Sequence, residues 1–292
     1  MAEQFKSEKA WKTYIASMEN LADDTSTGKK EIRILSDALL KAVENDAAGP
    51  FGVLFSGGID STLIAFMAKN LGKKFTCYSA GLENSEDIVW AKRASKALKL
   101  KLKCSVLPLD KFEGIVKKVA RILKEPDVTK VGVGSVFYAA ASLAKKDKVK
   151  ILFSGLGSEE IFAGYERHLN ALNDGWKNVH NECWKGLKNM WQRDIIRDMK
   201  IAEKLDVKLL TPFLDKEVII AAMRIHPKLK ISKTEKKIVL RSIAVELGLP
   251  EELAARKKRA AQYGSSFVKG MDRLARKSGF RYKKDYLRSL LE

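Results

Sequence analysis

The segment SGGIDS at residues 56–61 combines the residue types of an anion-binding turn. It follows the continuously apolar stretch from Phe51 to Phe55 and precedes a stretch with the composition of a helix. Glycines at such a turn let backbone N–H groups approach a ligand at the start of the helix, where phosphate oxygens bind well. The segment therefore predicts a phosphate-binding loop between a buried strand and a helix.

Asp60 narrows the chemistry of this loop. A carboxylate beside phosphates repels them unless it holds a cation such as Mg²⁺, which would also neutralise a leaving pyrophosphate. The loop lacks the Lys-Ser/Thr of a Walker A motif and the G-x-G-x-x-G of a dinucleotide site. A plain strand-to-helix turn has no need of Ser56, Asp60 and Ser61 together, so we expect the loop to bind polyphosphate and a divalent cation.

A second glycine-rich segment, SGLGSEE at residues 154–160, repeats this arrangement. It follows the apolar stretch from Val149 to Phe153 and opens another helix. Ligands of open α/β sheets collect at the carboxyl ends of the strands. This segment therefore sets a second acidic group, Glu159, at the same edge of the sheet as Asp60.

Strands and helices alternate around these segments, which predicts a doubly wound parallel α/β sheet. The four predicted strands are Phe51 to Phe55, Phe75 to Ser79, Leu102 to Val106 and Val149 to Phe153. Residues 125–134 are expected to be irregular, and no strand pattern is found beyond about residue 170. We therefore expect a helical extension at 1–30, the α/β core at 31–170 and a helical C-terminal region at 171–292.

The composition limits the classes of protein. The 292 residues include 55 Lys and Arg against 36 Asp and Glu, a net charge of +19 that favours phosphate-rich partners such as ATP or RNA. No run of about 18 apolar residues and no signal-peptide pattern is present, so we expect a cytoplasmic protein without a membrane span. The cysteines Cys77, Cys104 and Cys183 form no C-x-x-C pair and are expected to be buried thiols.

The loop at residues 56–61 resembles that of the PP-loop ATP pyrophosphatases, and further segments resemble the synthetase domain of asparagine synthetases and of the related β-lactam synthetases. The resemblance covers about residues 32–264. The further segments, in chain order, are YSAGL at 78–82, SGLGSEEIFAGY at 154–165, PFLD at 212–215, K-x-x-L-R at 237–241 with Leu249-Pro250, and Arg256-Lys257-Lys258.

The resemblance implies ATP and Mg²⁺ as substrate and cofactor, and it assigns site residues. Asp60 and Glu159 would hold Mg²⁺, and Lys258, with Asp60, would act in catalysis by offsetting charge on the phosphates. The residues implied to bind ATP and pyrophosphate are Ser56, Gly57, Gly58, Asp60, Ser61, Ser79, Gly81, Ser154 and Gly155.

The sequence departs from the family pattern where the acceptor would bind. Leu156 stands where asparagine synthetases carry a glutamate, Gly132 where the family has an arginine, and Lys208 and Leu210 replace a Glu and an Arg. These departures predict an altered or enlarged acceptor pocket. Residue 2 is Ala2, and the glutaminase domain of full asparagine synthetases is expected to be absent, so ammonia would come free in solution or from a separate glutaminase chain.

The resemblance implies a ligase that adenylates an acid, aspartate by default, and passes it to ammonia or another nitrogen nucleophile. The alternative is a tRNA- or nucleobase-modifying PP-loop enzyme. The charge of +19 favours that alternative, whereas the missing cysteine pairs and RNA-binding module disfavour it. A third hypothesis, a nucleotide-binding regulator without catalysis, is disfavoured because Asp60, Glu159 and Lys258 are all present.

Overall fold

A parallel β-sheet forms the centre of the computed structural model, which describes residues 5–22, 25–46, 49–257 and 260–292. In these residues the sheet has five strands in the order β3-β2-β1-β4-β5. The strands are β1 (Phe51–Leu54), β2 (Phe75–Leu82), β3 (Leu102–Leu107), β4 (Ile151–Phe153) and β5 (Lys208–Leu210). The predicted doubly wound α/β fold is confirmed.

Helices cover both faces of this sheet. Those in the described residues are α1 (Glu8–Glu19), α2 (Lys29–Asp46), α3 (Ile59–Asn70), α4 (Glu86–Ala97), α5 (Leu109–Leu123), α6 (Val128–Lys146), α7 (Ser158–Ile161), α8 (Glu166–Leu172), α9 (Trp176–Met190), α10 (Ile196–Leu205), α11 (Lys216–Met223), α12 (Ile238–Glu246), α13 (Glu251–Ala254), α14 (Ala261–Gly264), α15 (Phe267–Lys277) and α16 (Lys283–Ser289). A π-helical turn at Trp191–Ile195 joins α9 to α10, and short 3₁₀ turns lie at Pro212–Leu214 and Pro227–Leu229. No helix among the described residues is long and apolar enough to cross a membrane.

Successive strand residues point to two different buried layers, which explains why the strands read as continuously apolar. Phe51 and Val53 of β1 join the core that contains α3 and α4. Tyr78 and Ala80 of β2 join the core that contains α6 and α15. Because neither face of the sheet meets water, hydrophobic burial fixes the strands between two helical layers.

The order of the strands opens a crevice at one edge of the sheet. From β1 the chain moves outward through β2 to β3 and then returns to place β4 on the other side of β1. The loops that follow β1 and β4 therefore leave neighbouring strands where the direction of winding reverses. Such a switch point is where ligands bind in open α/β sheets.

Two predictions about the elements were wrong. The chain beyond residue 170 does contain a strand, β5, which pairs in parallel with β4 through Ile151 and Lys208. Three residues are too few to show the pattern of a strand. Residues 125–134 are largely helical, since α6 begins at Val128 and is capped by Asp127, whose Oδ1 accepts a 2.8 Å hydrogen bond from the Lys130 backbone N–H.

The cysteines match their prediction in part. Cys77 and Cys183 are buried, whereas Cys104 on β3 is partly exposed because that strand lies at the edge of the sheet. Burial raises the pKa of the Cys183 thiol to about 11. The two buried thiols are therefore protonated at neutral pH and act as small apolar groups.

Lys230 is a fully buried lysine in the helical layer near α9. Its ammonium contacts the Met223 sulfur at 3.6 Å, and in the described part of the chain no carboxylate forms an ion pair with it. Burial lowers the pKa of Lys230 to about 8. A cation in such a place costs free energy, because it has lost its hydration without gaining an opposite charge.

We therefore expect Lys230→Met to raise the free energy of unfolding by about 1–3 kcal/mol at pH 7. Between pH 8 and 10.5 the unfolded chain binds more protons than the folded chain, so the free energy of unfolding of the wild type increases as the pH rises. The difference in stability between Lys230→Met and the wild type therefore becomes smaller across that range. Urea unfolding at several pH values measures this difference. The exposed Lys228→Met is the matched control, and a less stable Lys230→Met at pH 7 would contradict the interpretation.

Candidate active site

A cavity opens at the carboxyl ends of β1, β2 and β4. The predicted site residues that line it are Ser56, Asp60, Ser61, Ser79, Ser154, Gly155 and Glu159. Gly155 lies directly against Asp60, because a Cβ on it would stand 2.8 Å from the Asp60 Cβ. The fold thus brings the loop after β1 and the loop after β4 together.

The turn after β1 depends on glycine. Gly57 has a positive φ of +73°, and a Cβ on it would stand 2.6 Å from the backbone carbonyl carbon of Trp90. Gly58 caps the start of α3 without a side chain in the way. Ser56 Oγ accepts from the Gly58 N–H at 3.3 Å, and Ser61 Oγ accepts from the Ser56 N–H at 3.3 Å, so the two serines hold the turn.

Of the predicted ATP-binding residues, Gly57, Gly58 and Gly81 do not line the cavity. Gly81 lies near the end of β2 against the Ser85 hydroxyl, and a Cβ there would collide with this oxygen. Ser85 in turn donates to the Gly264 carbonyl at 3.0 Å. In the structure, Gly81 lets a later segment of the chain pack beside β2.

The segment around Arg256 is tied to the phosphate-binding loop. Arg256 is 3% exposed; its Nη1 donates to the Ser56 carbonyl and its Nη2 to Asp87 Oδ1 at 2.7 Å. Lys257 is exposed. Lys258, the predicted catalytic lysine, lies outside the described residues, so its role stays a prediction.

Asp60 and Glu159 converge on one cation, the ammonium group of Lys237. The Lys237 Nζ is 2.7 Å from Asp60 Oδ1 and 2.8 Å from Glu159 Oε1. The Ser158 hydroxyl also donates to Asp60 Oδ1, at 2.6 Å. Burial lowers the pKa of Lys237, but the two carboxylates more than offset this effect, so the pKa lies above the usual value and the lysine is charged.

The backbone conformation at Lys237 directs its ammonium group toward the two carboxylates. Lys237 precedes α12 with a left-handed φ of 58°, a conformation that costs a non-glycine residue free energy and needs compensation. Gly164 makes room beside it, because a Cβ there would collide with Glu159 Oε2 and stand 2.6 Å from Lys237 Cε. The compensation is the pair of charge-assisted hydrogen bonds that Lys237 makes.

The carboxylate pair fits a divalent cation. Mg²⁺ is usually held by one or two carboxylates together with substrate phosphates. Here the oxygens of two carboxylates share the Lys237 ammonium, which occupies the place that a divalent cation would take. No group of three or more His, Cys, Asp or Glu side chains within the described ranges could hold a metal by itself. The pair suits an ion that the protein binds in part and a nucleotide completes.

Comparisons with known proteins identify the family of this chain. The sequence model of the asparagine synthase family matches residues 34–178 and 169–280, which is most of the chain. The chain belongs to the asparagine synthase family. The predicted membership, based on the motifs, is confirmed.

Individual relatives agree with this family. The chain is 33% identical over 285 residues to a putative glutamine-hydrolysing asparagine synthetase of Methanocaldococcus jannaschii, covering 86% of this chain and 52% of that protein. It is 30% identical over 213 residues to the asparagine synthetase of Asparagus officinalis, covering 70% of this chain and 35% of the relative. The chain thus spans about half the length, or less, of these curated relatives.

Among solved structures, the chain is similar to the NMN synthetase of Francisella tularensis. The TM-score is 0.43 and the identity 12%, and the match covers 89% of this chain and 92% of the other.

The other end of the cavity carries a buried network of charges. Arg197 donates from Nε to Asp198 Oδ1 at 2.7 Å and from Nη1 to Asp194 Oδ1 at 3.0 Å. Arg193 pairs with both Asp194 and Glu160. Burial and the Asp194 carboxylate raise the pKa of Glu160 to about 7, although the neighbouring arginines lower it.

The departures from the asparagine synthase family pattern do not all lie in this cavity. Leu156 does line it, and Gly132 on α6 faces Gln262, which also lines it. Lys208 is exposed on β5, and Leu210 is buried in the core, so these two substitutions belong to the edge of the sheet. Of the four departures, Leu156 alone lines the cavity and Gly132 lies behind a lining residue, so an altered acceptor pocket stays a prediction for these two positions.

Sequence reasoning missed two residues that organise the site. Lys237 was recognised as part of K-x-x-L-R but given no role, and Ser158 was recognised only as part of the second glycine-rich segment. Their roles depend on contacts across 177 and 98 residues of chain with Asp60. The lysine in a family motif was the available signal for the first, whereas spacing alone gives no signal for the second.

We expect Gly164→Ala to displace the Glu159 carboxylate and to lower the affinity for Mg²⁺·ATP about tenfold, or about 1.4 kcal/mol. Equilibrium binding of Mg²⁺·ATP, measured by calorimetry, checks this expectation. Gly114→Ala is the control, since nothing lies within 4 Å of a Cβ at that position in α5. Wild-type affinity in Gly164→Ala would show that the carboxylate pair does not take part in nucleotide binding.

Proposed function

We propose that the chain is an ATP-dependent ligase that adenylates an acid, releases pyrophosphate and passes the acyl group to ammonia or another nitrogen nucleophile. One observation carries the proposal: Asp60 and Glu159, in the first turns of the helices that follow neighbouring strands, share one cation beside a glycine-rich anion-binding turn. Membership in the asparagine synthase family supports this chemistry.

The nucleotide end of the cavity has the groups that the reaction needs. The turn at residues 56–61 would hold the β- and γ-phosphates through backbone N–H groups and the hydroxyls of Ser56 and Ser61. Ser79 would contact the base or ribose, whereas Gly81 would act through the packing of the segment beside it, and Ser154 and Gly155 would lie along the nucleoside. When bound between Asp60 and Glu159, Mg²⁺ would supply charge neutralisation for the leaving pyrophosphate.

Lys237 and Lys258 would supply further positive charge at the phosphates. Lys237 is already charged and buried next to the carboxylate pair, so it can hold phosphate oxygens or the two carboxylates without a change of protonation. Lys258 would offset charge that develops on the phosphates in the transition state. Both lysines would stabilise the same developing charge on the phosphates.

The acceptor end is proposed to bind a small acid, aspartate by resemblance. Arg197 is the guanidinium that lines this part of the cavity, and it is held in place by Asp194 and Asp198. Leu156 cannot take a proton from an attacking nitrogen, so the proton that ammonia or another nitrogen nucleophile loses as the amide forms must pass to another group or to water. A separate glutaminase chain is a candidate source of ammonia. We propose the cytoplasm as the location of the protein.

A tRNA- or nucleobase-modifying reaction is the second candidate function. The net charge of +19 favours it, since a basic surface attracts nucleic acid. The cavity itself does not favour it, because the ion pairs of Arg197 with Asp194 and Asp198 take up part of the wall that a nucleobase would have to contact.

Pyrophosphate release distinguishes these functions. With ATP and Mg²⁺, we expect release to require an acid, tested as a library that includes aspartate, together with ammonium ions. Release that requires tRNA instead would support the second candidate. No release under either condition would contradict both and leave a nucleotide-binding regulator.

We expect Asp60→Asn to reduce this pyrophosphate release at least about a hundredfold, because an amide keeps the shape of the side chain but cannot balance a cation, a loss of about 2.7 kcal/mol or more. The initial rate at saturating ATP and Mg²⁺ is the measurement. Asp37→Asn, on α2 and away from the cavity, is the matched control. Full activity in Asp60→Asn would refute the assignment of Asp60 to the metal.

A further inference from the structure

Gln262 is a buried polar residue in the wall of the cavity that the proposed reaction does not yet use. Its side chain is 6% exposed and lines the cavity together with Ala260 and Ala261. Its Oε1 has no hydrogen-bond partner among the described residues. A buried amide oxygen that has given up water without replacement is costly, so a group that donates to it is expected when the cavity is filled.

Gly132 explains why Gln262 can occupy this position. A Cβ at residue 132 would stand 3.1 Å from the Gln262 Cβ and 3.2 Å from Met271 Cε, which is tighter than ordinary packing. An arginine side chain at 132 would have to pass through the same space. The glycine thus lets α14 lie against α6, and a carboxamide takes the place of a guanidinium on this wall.

The segment that carries Gln262 is fixed to the nucleotide end of the cavity. The Leu82 N–H at the end of β2 donates to the Ser265 carbonyl at 3.0 Å, and Ser85 Oγ donates to the Gly264 carbonyl at 3.0 Å. Arg256 joins the beginning of the same segment to the Ser56 carbonyl. These bonds fix the backbone next to Gln262 before any ligand binds.

The chemistry of the free oxygen restricts the ligand group. An amide oxygen only accepts hydrogen bonds, and it carries no charge that would attract a phosphate or a carboxylate. Nearby, Asp87 is paired with Arg256, so its charge is already balanced. Oε1 therefore fits a hydrogen-bond donor of the ligand, and an amino group is the donor that ATP and an amino-acid acceptor both carry.

We propose that Gln262 determines specificity by accepting a hydrogen bond from an amino group of a substrate bound in this cavity. The inference rests on the proposed function, because both substrates of that reaction offer such a group. The sources are the exocyclic amine of the adenine base and the α-amino group of an amino-acid acceptor. The bonds to β2 favour the base.

Equilibrium binding separates these sources. Calorimetry compares the affinity for ATP with that for purine riboside triphosphate, which lacks the exocyclic amine. In the presence of α,β-methylene-ATP, it compares the affinity for aspartate with that for succinate, which lacks the α-amino group. The proteins are the wild type, Gln262→Met and Gln262→Leu, which remove the oxygen, and Tyr263→Phe, an exposed control on the same helix. Thermal unfolding confirms that each variant is folded.

In the wild type we expect about a threefold to tenfold preference for the probe that carries the amino group, as one neutral hydrogen bond provides. In Gln262→Met and Gln262→Leu the ratio of affinities should fall to about one. It falls for ATP against purine riboside triphosphate if Gln262 binds the base, and for aspartate against succinate if Gln262 binds the acceptor. Tyr263→Phe should keep it.

Unchanged preferences for both pairs in the Gln262 variants would overturn the inference. Loss of affinity for all four probes alike would overturn it too, since a merely structural role predicts that result. Failure of the wild type to bind any nucleotide would instead contradict the proposed function, and the inference with it.

Discussion

The shared cation between Asp60 and Glu159 is the interaction on which the site depends. The buried Asp60 carboxylate and the half-buried Glu159 carboxylate contact the same group, so a cation between them offsets the repulsion of their charges. In the structure that cation is Lys237, delivered by a left-handed residue before α12 and given room by Gly164. The parallel sheet, the switch in strand order and the helical C-terminal half all serve to bring these three residues together.

Two parts of the cavity differ in the residues that line them. At the nucleotide end, glycines and short polar side chains leave backbone groups free for a ligand, and the family motifs are kept. Elsewhere in the cavity wall, Arg197 and its carboxylate partners form a buried network near Leu156, and Gly132 departs from the family pattern beside Gln262. This division agrees with the proposed reaction, in which the family motifs activate ATP and the acceptor or nucleophile differs.

Much of the fold could be predicted because it rests on local signals. The buried strands and the turn after β1 show in apolar runs and glycine positions, and they were found. The strand β5 was missed because three residues are too few to show a repeating pattern. Residues 125–134 were expected to be irregular because Gly132 and Gly134, which permit close packing of α6, weaken the helical pattern there. In the site, Asp60 and Glu159 were expected to meet, but the partners Lys237, Ser158 and Gln262 depend on contacts between distant segments that spacing does not encode.

The most direct test of the account follows oxygen from the acid into AMP. Acids with ¹⁸O in their carboxyl groups, aspartate among them, are incubated with the protein, ATP, Mg²⁺ and ammonium ions, and the nucleotide product is analysed by mass spectrometry. Adenylation predicts AMP that carries an oxygen atom from the acid, because the carboxylate attacks the α-phosphate and leaves its oxygen there. Unlabelled AMP, or ADP with phosphate, would contradict the central claim.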